Sequence, residues 1–120
     1  MSEENTDVLI VGGGTAGITL ASQLLASEAP PRVTIIDPAH VHYYQPLWTL
    51  VGGGIVPREA SRRTMQQVMP RGVNHVRDAV KSFDPENDRL TTEGGTTFTY
   101  EQLVVAAGIQ LNWDAGENLP

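Results

Sequence analysis

The sequence predicts an α/β domain: a parallel sheet in β-α-β order with a small antiparallel β unit inserted into it. Three observations carry that prediction. Residues 8–11 and 103–107 are unbroken apolar runs and 33–36 (Val-Thr-Ile-Ile) is nearly so, which suits strands covered on both faces better than strands with one wet face. Between the first two lies a segment with apolar residues at helical spacing. Ahead of the third, residues 89–92 and 96–100 flank Glu93-Gly94-Gly95, a compact hairpin signal rich in β-branched threonine.

The first strand runs into Gly12, Gly14 and Gly17, which fit G-x-G-x-x-G where a strand turns into a helix. In a Rossmann-like unit, Gly12 makes the tight turn and Gly14 lets a pyrophosphate approach the backbone. Gly17 lets helix and strand pack closely, with phosphates held at the positive helix N-terminus. The helix is expected over about residues 15–26, with Ile18, Ala21, Leu24 and Leu25 on one face, and Pro30-Pro31 stops it. The second strand ends in Asp37, twenty residues after Gly17, where an acid takes the hydroxyls of an adenosine ribose. A glycine motif alone also fits a plain structural turn. Strand, glycines, helix, strand and terminal acid in register favour a nucleotide.

Pro38 turns the chain outward into His40–Gly54, an aromatic-rich stretch ended by glycines. Tyr43, Tyr44 and Trp48 suit either core packing or contact with a flat ring. Gln45-Pro46 joins an amide that can donate and accept to a fixed backbone. Gly52–Gly54 read as a flexible turn. A second helix is expected from near Pro57 to about Val68, with Met65, Val68 and Met69 inward and Arg58, Arg62 and Arg63 on a solvated face. Residues 78–83 lead through the turn 84–87 into the antiparallel unit, and Leu103 to Gly108 returns to the parallel sheet.

At 120 residues the chain is one domain at most. A net charge of −6 and scattered arginines make no basic stripe, which argues against nucleic acid as a partner. Lys81 is the single lysine. No stretch reaches the length of a membrane span, and the polar first residues resemble neither a secretory nor a transit signal. Cysteine is absent, which removes disulfides and Cys-ligated metals from these residues and fits an intracellular protein. His40, His42 and His75 fall on separate elements with no partner at ligand spacing, so no metal site is assigned. The chain ends at Asn118-Leu119-Pro120 soon after an apolar strand, and a dinucleotide needs more than this first half. Residues 1–120 are therefore expected to be the N-terminal part of a longer, truncated dinucleotide-binding domain.

The residues also carry a family resemblance. VGGGTAG with Asp37, and LVVAAG, resemble the FAD enzymes of the pyridine nucleotide-disulfide reductase superfamily. HYYQPLWTLVGGG, VMPRGVNHVRDAVKSFDPENDRL and YEQLVVAAGIQLNWD resemble the sulfide:quinone oxidoreductases, of the type that includes the mitochondrial-like enzymes. The resemblance implies an FAD/NAD(P)-binding domain with FAD as cofactor. It implies that Thr15 and Ala16 offer amides to the pyrophosphate, that Asp37 holds the ribose with Pro38 beside it, and that Gln45 and Pro46 lie along the cofactor. Val80 would meet adenine through its backbone, while Ala107 and Gly108 pass beneath the pyrophosphate or ribityl chain. Ala107 stands where threonine is often found, so a hydroxyl contact is lost. The resemblance further implies sulfide and quinone as substrates of the parent. The redox cysteines and membrane-contacting segments that the resemblance implies would lie beyond Pro120, and the full-length protein is expected inside the cell, in the cytoplasm or at the inner face of the membrane. No catalytic residue is assigned here, and the fragment alone is expected to be inactive. An NADH:quinone oxidoreductase of the same fold, or a non-catalytic nucleotide-binding module, stays open.

Overall fold

A computed structural model describes residues 2–109 of the chain. Strand β1 (Glu3–Val11) leads into helix α1 (Thr15–Leu25) and back to strand β2 (Val33–Ile36). Pairing of β1 with β2 is parallel, Val8 opposite Val33 and Val11 opposite Ile36. Along β1 the side chains alternate between two cores, as strand geometry requires. Val8 and Ile10 join Ala21, Val33 and Ile35 beneath α1, with Leu20, Leu24 and Leu25 packed alongside. Leu9 and Val11 join Ile36, Leu90, Phe98 and Tyr100 on the opposite side. The expectation of strands covered on both faces is met for β1 and β2, one face by a helix and the other by the antiparallel unit; of residues 103–107, Leu103 and Val104 are half-buried and Val105 is 58% exposed.

After β2 the chain departs from the expected helix over 57–68. Strand β3 (Val41–Tyr43), a 3-10 turn at Gln45–Leu47 and the short helix α2 (Trp48–Gly52) come first. Past Pro57 there is only a 3-10 turn at Arg58–Ser61 before strand β4 (Arg62–Thr64) extends and pairs antiparallel with β3. Helix α3 is confined to Met65–Val68. The break has a local cause. Thr64 accepts from the Gln67 amide while the Gln67 side chain accepts from the Thr64 amide, a capping box that starts a new helix there. Arg58, Arg62 and Arg63 are exposed, as expected of a solvated face.

Strand β5 (Asn74–Val76) joins the outer edge of β2 in parallel. Strands β6 (Val80–Asp84) and β7 (Arg89–Thr92) pair antiparallel, and β7 pairs antiparallel with β8 (Thr97–Val105). The antiparallel unit is therefore present, but it is not separate from the parallel sheet. The stretches 96–100 and 103–107 expected as two strands are largely one, because β8 runs unbroken and also pairs in parallel with β1. The result is one six-stranded sheet in the order β5-β2-β1-β8-β7-β6, beside the two-stranded β3–β4 sheet. Among the described residues no helix is long and apolar enough to cross a membrane. The C-terminal tripeptide and the last residues of the YEQLVVAAGIQLNWD block lie outside the described residues.

Candidate functional site: a cleft at the carboxyl ends of β1 and β8

The connection from β1 runs to β2 on one side, whereas β8 arrives on the other, so a crevice opens where their carboxyl ends diverge. The two loops touch there. Ala106 donates its amide to the Val11 carbonyl at 2.7 Å, and Gly12 donates to the Ile36 carbonyl at 3.0 Å. Gly12 has φ +119°, and a Cβ on it would collide with the Ala106 carbonyl. A Cβ on Gly17 would collide with the Gly12 carbonyl, so that glycine seats α1 against the turn.

Gly14 behaves differently. A Cβ built on it meets nothing within 4 Å, although it stands at the start of α1. No side chain caps α1, and no acid sits in its first turn. The amides of Thr15 and Ala16 therefore have no partner inside the helix. An open approach beside uncapped amides at the positive end of an eleven-residue helix suits an anionic group.

Asp37 faces this loop. Its Oδ2 accepts from the Gly13 amide at 2.6 Å and its Oδ1 from the Ala39 amide at 2.7 Å. A carboxylate has about four lone-pair sites, so two amides leave room for the hydroxyls of a sugar. Asp37 borders two clefts. One, of about 490 Å³, also contains Gly12, Pro38, Val80 and Ala107. The other, of about 230 Å³, contains Gly14, Thr15 and Gln45. The fold thus brings together most of the residues singled out in the sequence. Ala16 sits on the exposed first turn of α1, Pro46 in the 3-10 turn and Gly108, at φ +70°, just past β8; none of the three borders either cleft.

Exposure speaks against core packing for two of the three aromatics. Trp48 is 48% exposed and Tyr44 47%, so neither is core. Tyr43 and Trp48 meet edge to face at 6.4 Å and border the smaller cleft beside Gln45. Three other residues were not singled out. A Cβ on Gly13 would press on the Met65 methyl and on the Asp37 side chain, so glycine lets Asp37 sit close against this loop. Its signal was present in the glycine run. Asp78 and Phe83 border the larger cleft. The Thr92 hydroxyl, then the amides of Ala79 and Gly94, hold the Asp78 carboxyl below the usual carboxylate range. Nothing local in the sequence marks either residue, since a hairpin folding back from β7 places them.

Comparison with known proteins bears on this geometry. The family model described as pyridine nucleotide-disulphide oxidoreductase matches residues 6–116. A mitochondrial sulfide:quinone oxidoreductase of Dictyostelium discoideum is 42% identical over 115 residues, covering 95% of this chain and 25% of that protein. The mouse (Mus musculus) protein of the same description is 35% identical over 119 residues, 99% of this chain and 26% of its own length. The chain thus spans about a quarter of these relatives. The crystal structure of the sulfide:quinone oxidoreductase from Aquifex aeolicus superposes with a TM-score of 0.74 at 21% identity, over 94% of this chain and 26% of that one, which shows the shared fold. A glycine turn beneath an uncapped helix, an acid at the end of β2 and a family match over nearly the whole chain converge: the chain belongs to the pyridine nucleotide-disulphide oxidoreductase family.

Proposed function

We propose that this chain holds the ADP half of FAD in a parent flavoprotein that oxidises sulfide and passes the electrons to a quinone. The observation that carries the reading is Asp37, bound to the Gly13 amide and bordering both clefts, next to an α1 N-terminus with no cap of its own. The residues present fit the group. The amides of Thr15 and Ala16 receive the pyrophosphate, and Gly14 leaves it the space. The Asp37 carboxylate accepts from the ribose hydroxyls. An acid here repels a 2′-phosphate, so the slot favours an unphosphorylated ribose. Val80, Pro38 and Ala107 border the larger cleft, which takes the adenosine, and Gln45 with Trp48 borders the smaller one.

FAD, when bound, supplies the electron chemistry, and this chain supplies its grip and orientation. Oxidation of sulfide at the protein needs a thiolate nucleophile, and these 120 residues contain no cysteine. That half of the reaction, the quinone contact and any contact with a membrane face are assigned to other parts of the parent, working inside the cell. Support comes from the relatives named as sulfide:quinone oxidoreductases and from the family match. The test is to purify the full-length parent, record its visible spectrum and assay sulfide-dependent quinone reduction. A flavin spectrum with sulfide-dependent turnover is expected, and a colourless protein sinks the proposal.

A further inference from the structure

A further cleft, of about 580 Å³, lies between the β3–β4 pair and the edge strand β5. Its charge is opposite in sign to that of the whole chain. The chain as a whole carries −6, yet this cleft is bordered by His40, Arg62, His75 and Arg77 and by no carboxylate. The Arg77 guanidinium lies 2.8 Å from His40 Nδ1. A guanidinium can only donate, so Nδ1 accepts and the His40 proton sits on Nε2 as a further donor. Among the described residues the ion pair is Asp7 with Arg32, elsewhere on the surface; Arg62 and Arg77 have no acidic partner there. His75 Nε2 is buried with no hydrogen-bond partner.

From these observations we infer that the cleft binds an oxyanion of the phosphate class. Arg62 and Arg77 supply the charge, and the Nε2–H of His40 supplies a further hydrogen bond, with His75 bordering the same cleft. The site is distinct from the nucleotide clefts, from which Val41 and Met65 wall it off. The charged groups acting on His75 are Arg77 and, across that wall, Asp37. The inference does not depend on the flavin reading, because none of its four basic residues borders the larger nucleotide cleft and only Val41 and Met65 are shared with the smaller one.

The chain has three histidines, which makes the test direct. Inorganic phosphate is titrated against the protein at constant ionic strength, with chloride as the comparison salt, while imidazole resonances are followed by NMR. Saturable shifts of His40 and His75 are expected, with His42, which borders other clefts, left in place. Arg77→Gln should weaken the effect about tenfold, the scale of one charge-assisted hydrogen bond. Arg62→Gln, a change at an exposed side chain, should weaken it as well and serves if the Arg77 variant misfolds. Vesicles of phosphatidic acid, compared with phosphatidylcholine, distinguish a lipid headgroup from a free anion: Arg-dependent co-sedimentation assigns the site to the headgroup. Shifts of all three histidines together, shifts that persist in both variants, or no saturation with phosphate and no Arg-dependent sedimentation would each overturn the inference.

Discussion

Asp37 is the residue on which the nucleotide reading turns. Its replacement by alanine removes a charge-assisted hydrogen bond to the ribose, and the loss should be about 1.5–3 kcal/mol, or about ten- to a hundredfold in FAD affinity. Flavin fluorescence titration of the parent measures this, and unchanged affinity would remove the assignment. The glycines give a sharper contrast, because their surroundings differ. Gly14→Ala places a methyl in open space at φ −79°, an ordinary backbone angle, so thermal stability should hold while FAD binding falls. Gly12→Ala sets a methyl against the Ala106 carbonyl at φ +119°, so the fold itself should lose stability, by about 1–3 kcal/mol from backbone strain alone. Melting curves and flavin titrations of both variants separate the two roles. If Gly14→Ala melts as early as Gly12→Ala, Gly14 is structural and the phosphate role fails.

Among the elements, β1, α1 and β2 were legible because each carries a periodic pattern of its own, and the observed helix ends at Leu25, one residue from the expectation. Residues 57–68 were misread because Met65, Val68 and Met69 share a helical spacing that holds over a single short turn. The Thr64-x-x-Gln67 capping signal marked the break, but pairing of Arg62 and Arg63 with β3 is a tertiary event with no local trace. The split drawn through β8 has a similar origin: Glu101 and Gln102 interrupt an apolar pattern that the strand itself carries straight through. Likewise the glycine turn and Asp37 could be read in the sequence, whereas Asp78 and Phe83 reach the cleft only through the fold. Thr64→Ala should remove one half of the capping box and cost about 1 kcal/mol. Urea denaturation monitors this, and an unchanged midpoint would mean that α3 is held by Met65 packing alone.

At the scale of the molecule, stability should depend on pH through His75. Burial, and then the charge of Arg77, pushes its imidazole below the ordinary value of 6.5, against the pull of Asp37. A base whose folded value is depressed binds protons more readily when unfolded. Stability is then full above pH 6.5 and is lost as pH falls from there through the folded value. Melting temperatures recorded over falling pH should decline in that window, and His75→Gln should flatten the decline; an equal slope in the variant would assign the effect to other groups. A last consequence concerns the order of events in the cell. β1 and β8 are partners about 94 residues apart, and the glycine turn leans on the peptide just past the later strand. During synthesis β1, α1 and β2 have one another as partners as soon as they emerge, whereas the Val11 carbonyl gains its Ala106 donor only when the later strand follows, so the glycine turn is completed last.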